Sequence, residues 1–223
     1  IVQGLTEFLP ISSSGHLVIS QHLFGLQHAD LAFDVSVHMG TLGAVVIYFR
    51  RDIAAILTAL LHYRPHWRPE TIKALLTPGG PDEEIRLAAL VIIGSLPTAI
   101  IGLILKRYEA VLFASPLIAG LMLLVTGVVL YLTRRPQEAA RTHPELRRPL
   151  SAIRVRDCLL VGIVQGLAVM PGVSRSGTTI AAGLFTGIEP QAAARFSFLL
   201  SIPAVAGAAL LVILGGLAAM YVI

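Results

Sequence analysis

The sequence predicts an all-α membrane protein: a polytopic helix bundle with inverted-topology repeats and two broken, re-entrant helical hairpins. Three observations lead there. The 223 residues are 55% hydrophobic and only 13% charged, where a soluble domain carries about 25% charged residues, so the chain is composed for lipid. Uncharged apolar runs recur at the length of about 20 residues that a helix needs to cross a bilayer. A shift of 162 residues superposes Ile-Val-Gln-Gly-Leu at 1–5 on the same five residues at 163–167, and pairs Ser12 with Ser174, Ser14 with Ser176 and Gly15 with Gly177. The formal charge of +4 does not point to nucleic acid, because Lys and Arg are confined to loops between the apolar runs, as membrane topology places them. A single cysteine, Cys158, excludes an internal disulfide and any Cys-rich metal site.

In chain order, residues 1–24 are apolar but interrupted by Glu7, Pro10, Ser12-Ser13-Ser14 and His16. Irregular backbone at membrane depth is tolerated only where protein or a wet cavity covers it, so this stretch is expected to be a re-entrant hairpin. The run 35–49 closes on Arg50-Arg51, which can snorkel at an interface, and is read as a span. Residues 53–61 are too short to cross and are expected to extend that helix or lie on the surface; the Pro-rich stretch 64–81 is loop. The runs 87–105, 110–133 and 196–223 are uncharged and long enough to span. Residues 134–156 form a polar loop, with five charges in the fourteen residues 136–149, dividing a first half (1–133) from a second (157–223). The stretch 158–188, broken by Pro171-Gly172 and Ser174-Arg175-Ser176-Gly177, is the second expected hairpin. Both chain ends fall inside apolar runs and are expected to be cut.

Of seventeen Lys and Arg, six lie in 50–86 and seven in 134–156, with only Lys106 and Arg107 between them. The positive-inside rule makes the two longer loops cytoplasmic and the 106–109 turn external. Three spans, an odd number, separate the two copies of the repeat, so the hairpins enter from opposite sides and meet within the membrane.

The chemistry concentrates in those hairpins. Gln3 and Glu7 are four residues apart and share a helix face. A carboxylate facing lipid is expensive, so Glu7 is expected to face a wet cavity or a cation, a structural hydrogen bond being the competing reading. Ser12-Ser13-Ser14-Gly15-His16 follows Pro10 as a turn whose hydroxyls can cap the next helix, and His16 suits proton transfer. Pro171-Gly172-Val173-Ser174-Arg175-Ser176-Gly177-Thr178 is a small-residue turn opening a helix, where backbone N–H groups and hydroxyls can bind an anion. Arg175 adds a forked cation suited to phosphate oxygens, or an ion-pair partner for Glu7. Carboxylate, hydroxyl, imidazole and guanidinium together fit phosphoryl transfer, with a divalent cation, Mg²⁺ or Ca²⁺, held by Glu7 and Gln3.

At Gln3-Gly4-Leu5-Thr6-Glu7-Phe8-Leu9-Pro10-Ile11-Ser12-Ser13-Ser14-Gly15-His16 and Pro171-Gly172-Val173-Ser174-Arg175-Ser176-Gly177 the sequence resembles the undecaprenyl-diphosphate phosphatase family, the bacitracin-resistance proteins of bacterial membranes. Supporting matches run through 33–51 and 193–203. The resemblance implies release of inorganic phosphate from C55 undecaprenyl diphosphate, recycling the lipid carrier of peptidoglycan synthesis, in the cytoplasmic membrane with a site facing outward. It implies Glu7 as the essential carboxylate, His16 as nucleophile or general acid/base, Ser13 as nucleophile or phosphate contact, and Arg175 as phosphate clamp. Gln3, Ser12, Ser14, Gly172, Ser174, Ser176, Gly177 and Thr178 are the expected substrate contacts. The nucleophile stays open among Ser13, His16 and water, and a homodimer is an admissible assembly. The main rival is a polyprenyl-phosphate transporter using the same inverted-repeat site; an intramembrane serine protease ranks below both, because Arg175 favours an anionic substrate.

Other polar residues carry weaker expectations. His38 lines the cavity or bonds a neighbouring helix, and Asp30 and Asp34 cap a helix N-terminus. Glu189-Pro190 starts a helix, Arg195 pairs or anchors at an interface, Ser197 and Ser201 pack, and His62, His66 and His143 are solvated.

Overall fold

The structure is a computed structural model that describes residues 2–25, 31–62, 77–78 and 83–220, with backbone alone at 2, 5, 31–37, 109–110 and 212–220. Asp30, His66, the side chain of Asp34 and nearly all of the 64–81 loop lie outside that description. The described residues form α1 (Val2–Thr6), α2 (Ser13–Leu23), α3 (Leu31–Tyr48), α4 (Arg50–His62), α5 (Glu83–Lys106), α6 (Glu109–Phe113), α7 (Pro116–Leu132), α8 (Arg134–Thr142), α9 (Val155–Leu167), α10 (Arg175–Phe185) and α11 (Pro190–Met220). Among the described residues three helices are long and apolar enough to cross a membrane: Glu83–Lys106, Pro116–Thr142 and Pro190–Leu211. His38–Tyr48 is apolar but shorter.

Several boundaries differ from those read in the sequence: the 87–105 span runs from Glu83 to Lys106, and the 196–223 span begins at Pro190. The 35–49 run begins earlier, at Leu31, and its backbone ladder continues through Phe49 into α4, with Phe49 N–H on Val45 O and Ile53 N–H on Phe49 O, each at 2.9 Å. The 110–133 run is two helices, because Pro116 lacks an N–H and pushes Ser115 into extended backbone, where Ser115 Oγ caps α7 by accepting from Ile118 N–H. The first part of the 134–156 loop is helical: Gln137 N–H bonds Thr133 O at 3.0 Å, so α8 continues the turn of α7, and Pro136, which has no N–H to return to Leu132 O, falls where the two helices join. The second hairpin begins at Val155 instead of 158.

The core gathers Val45 of α3, Phe49 just after it, Leu87 and Leu90 of α5, Cys158 and Val161 of α9, Ala182 of α10 and Phe196, Leu199 and Leu200 of α11. Between α5 and α9 the backbones nearly touch: a Cβ on Gly162 would lie 2.0 Å from Gly94 O. Small residues permit this approach, which replaces a hydrophobic driving force that lipid does not supply. Thr98 seals the crossing by donating its hydroxyl to Gly162 O at 2.8 Å.

Beyond α8 the linker is strapped to the bundle by arginines. Arg148 donates to Asp157 Oδ2 at 2.6 Å, to Thr186 O at 2.7 Å and to Ala152 O at 3.0 Å, and Arg147 donates to Leu184 O and Pro136 O. Two of these carbonyls lie at the C-terminal end of α10, which has no intrahelical donors left for them. Burial works to raise the Asp157 carboxyl, but the Arg148 hydrogen bond, the Arg154 N–H and the charges of Arg148 and Arg156 hold it below the ordinary range.

Candidate active site

Two helix–turn–helix units build the site, and their turns are capped alike. In the first, Ser12 Oγ accepts from Gly15 N–H at 3.3 Å and shares a hydrogen bond with Ser14 Oγ at 3.3 Å. In the second, Ser174 Oγ accepts from Gly177 N–H at 3.1 Å and shares one with Ser176 Oγ at 3.5 Å. Each serine satisfies one of the free N–H groups of a helix start, α2 or α10. The turns meet where a Cβ on Gly15 would lie 2.7 Å from Gly172 Cα. Gly172 has φ +93°, and a Cβ there would lie 2.2 Å from Ala119 O of α7. Ser176 Oγ donates to Leu9 O at 3.3 Å, a second bond between the units.

Glu7 stands at the meeting point. Its Oε1 accepts from Arg175 Nη2 at 2.7 Å, 168 residues away in sequence. Its Oε2 accepts from Ser13 Oγ at 2.5 Å and from Gln3 Nε2 at 3.3 Å. The Glu7 side chain is 8% exposed and the Arg175 side chain 24%, so the arginine keeps some access to solvent while the acid is enclosed. An ion pair between them and an anion site at Arg175 are therefore compatible, since Arg offers five donors and spends one here.

His16 does not pair with Ser13. Its Nδ1 lies 2.8 Å from Ser12 O. A carbonyl only accepts, so Nδ1 carries a proton, and Nε2, which has no hydrogen bond among the described residues, is the lone-pair nitrogen whenever the ring is neutral. Ser12 itself has φ 65°, the one positive φ among described non-glycine residues. Such a residue stores about 1–3 kcal/mol of strain and is held by its surroundings; here those are the Gly15 N–H on its hydroxyl and two His16 donors on its carbonyl.

Several expected substrate contacts spend their hydroxyls inside the protein. Ser12, Ser174, Ser176 and Thr178 are buried, and Thr178 donates to Ser174 O at 2.7 Å. Gly172 and Gly177 are also buried. Ser13, Ser14, His16 and Arg175 retain partial exposure. The geometry therefore separates residues that can face a ligand from residues that shape the turn.

A model of the bacitracin resistance protein BacA matches residues 1–221 of this sequence. The chain belongs to the BacA family. Similar proteins include one from Desulforapulum autotrophicum, 49% identical over 211 residues covering 95% of this chain and 73% of the relative. One from Desulfosudis oleivorans is 49% identical over 216 residues, again 95% and 73%. One from Methanosphaera stadtmanae is 42% identical over 219 residues, 94% and 73%. All three are named undecaprenyl-diphosphatase. With its long apolar helices, this BacA-family chain is a membrane protein.

The BacA-family site also fits a divalent cation in its donor chemistry. Among the described residues no three His, Cys, Asp or Glu gather as ligands. However, Gln3 is 2% exposed, and its Oε1 is buried with no hydrogen-bond partner among the described residues while its Nε2 donates to the Glu7 carboxylate, which also accepts from Ser13. Oxygen donors with a single carboxylate suit an ion that completes its shell on substrate phosphates.

Two participants escaped the sequence reading. Leu9 contributes only its carbonyl, and Thr126 of α7 reaches the Gly172–Ser174 turn through its hydroxyl. A threonine in an uncharged span gives no signal in sequence. The remaining expectations resolve simply. Arg195 pairs with Asp52, Ser197 bonds Thr179 at 2.5 Å, Ser201 bonds Phe198 O, and α11 starts at Pro190. His62 and His143 are exposed, bonding Thr58 O and Glu145.

Proposed function

We propose that this chain is an undecaprenyl-diphosphate phosphatase, releasing inorganic phosphate and undecaprenyl phosphate from the C55 diphosphate and so conferring bacitracin resistance. The observation that carries the reading is the Ser13–Glu7–Arg175 chain, with a hydroxyl 2.5 Å from a carboxylate that also holds the guanidinium of a partly exposed arginine at 2.7 Å. It joins the nucleophile–base pair and the anion clamp that phosphoryl transfer needs. The name undecaprenyl-diphosphatase carried by the similar proteins supports the same substrate class.

In this mechanism the free donors of Arg175 take oxygens of the terminal phosphate. Ser13 Oγ attacks the terminal phosphorus while Glu7 takes its proton. The bond from that phosphorus to the bridging oxygen breaks, and undecaprenyl phosphate leaves with the electron pair. Water then attacks the phosphoserine phosphorus, its proton going to His16 Nε2; the Ser13 Oγ–P bond breaks, Oγ takes back the proton from Glu7, and inorganic phosphate is freed. Arg175 opposes the charge that develops on the transferred group. Gln3 Oε1 and Glu7 would hold Mg²⁺ or Ca²⁺, which when bound neutralises phosphate charge.

The two hairpin units are read as inverted repeats that place this chemistry within the membrane, open to the external side of the cytoplasmic membrane. The similar caps at Ser12 and Ser174 and the odd number of spans between the copies support that reading.

The test is phosphate release from undecaprenyl diphosphate by the detergent-purified protein, with and without Mg²⁺ or Ca²⁺, alongside Glu7→Ala, His16→Ala and Arg175→Ala. Metal-dependent release lost in all three folded variants is the expected result. A folded protein that releases no phosphate but moves the lipid phosphate across vesicles is a transporter instead.

A further inference from the structure

Arg175 works only if its turn is held still, and nothing in that turn is regular backbone. Gly172 is in the left-handed region and Ser174 is extended. The structure assigns the holding role to Thr126, and we propose that it is a positioning residue that acts through Arg175. The proposal rests on Arg175 being the phosphate clamp.

Thr126 lies on α7, outside both helix–turn–helix units, and is 2% exposed. Its hydroxyl donates to Gly172 O at 2.8 Å and accepts from Ser174 N–H at 3.0 Å. A hydroxyl has one proton and two lone pairs, so the donor and acceptor roles are both filled by the same turn. The two bonded residues flank Val173, which makes the hydroxyl a staple across the bend. Ala119, seven residues earlier on α7, leaves no room for a Cβ at Gly172, so helix and turn are also in van der Waals contact. Removing the hydroxyl would leave a buried carbonyl and a buried N–H without partners, and the turn would move to find others. Ser174 is the N-cap of α10 and Arg175 its first residue, so the displacement passes directly to the guanidinium. Thr179 restrains Arg175 from the other side, donating to Arg175 O at 2.6 Å while bonded to Ser197. The partners of the Thr126 hydroxyl, Gly172 and Ser174, are buried residues that shape the turn, which distinguishes Thr126 from Glu7, Ser13 and His16.

The experiment measures phosphate release from undecaprenyl diphosphate by the full chain in detergent, with thermal unfolding as the control for folding. Thr126→Val keeps the shape and removes the hydroxyl; Thr126→Ser keeps the hydroxyl and removes the methyl. A misplacement near 1 Å costs on the order of 100-fold, so Thr126→Val is expected to lose at least ~10-fold in kcat/KM while Thr126→Ser stays within about 3-fold of the parent. In an Arg175→Lys background the same valine change is expected to cost less than about 3-fold, because residues acting as one unit are not additive. A folded Thr126→Val with parental kcat/KM overturns the proposal, as does a serine variant that falls as far as valine, or losses that multiply in the double variant. Should the valine variant not fold, Thr126→Cys replaces it: a weak thiol donor is expected to cost about 10-fold, and unchanged kinetics overturn the proposal. An inactive Arg175→Ala beside an unaffected Thr126→Val defeats only this proposal. A fully active Arg175→Ala defeats the clamp reading and the proposal together.

Discussion

Glu7 accepts hydrogen bonds from Ser13, Gln3 and Arg175, and the three differ in what their loss would do. Breaking a largely buried carboxylate–guanidinium pair leaves an uncompensated charge, whereas exchanging the acid for its amide keeps the shape and removes the base. Glu7→Gln is therefore expected to lower kcat by about 10²–10⁴-fold in folded protein, the range for a lost general base, with steady-state phosphate release as the measurement. Near-parental kcat in that variant would remove Glu7 from the proton transfer. Gln3 makes the opposite prediction. If its Oε1, unpartnered among the described residues, is the neutral ligand proposed above, Gln3→Glu adds charge at the same position. Cation affinity rises with ligand charge, and the Mg²⁺ concentration for half-maximal release is expected to fall by about 10-fold, read from a metal titration at saturating lipid. An unchanged titration would place the ion away from Gln3.

At the scale of elements, the strap between α8 and α9 hangs on Asp157, which Arg148 holds at 2.6 Å with the carboxylate side chain 2% exposed. Because the folded carboxyl is held below its ordinary value, its contribution to stability is fully present above the unfolded pKa, about 3.9, and is lost as pH falls through the lowered folded value. Asp157→Asn is expected to cost about 3 kcal/mol near neutral pH, the scale for breaking a buried pair, and to lose less against the parent as the pH drops below about 4. Thermal unfolding in detergent between pH 3 and 7 checks both parts; parallel curves would mean that the pair does not carry the strap. The same arginines show why this segment was misread. Seven of them in 134–156 gave a topological signal in sequence, and that signal hid their local work of satisfying carbonyls at the end of α10.

At the scale of the molecule, orientation is the open consequence of the charge pattern. Tyr108 lies in the short turn between α5 and α6, and Glu145 in the arginine-rich linker; both are exposed, while the native Cys158 is fully buried. A membrane-impermeant thiol reagent applied outside intact cells is expected to label Tyr108→Cys and spare Glu145→Cys, and the reverse pattern would invert the topology. The sequence by itself determined the solvent, the helical class, the long spans, the serine cap of the first turn and the place of the second turn, because each depends on composition or on residues a few positions apart. Only the tertiary structure decided that Arg175 closes on Glu7, that Ser13 rather than His16 lies against that carboxylate, and that Thr126 staples the anion turn. Apolar helices in lipid present no strong periodic face to sequence reading, so the register that brings distant polar atoms together is set by close packing at positions such as Gly15 and Gly172.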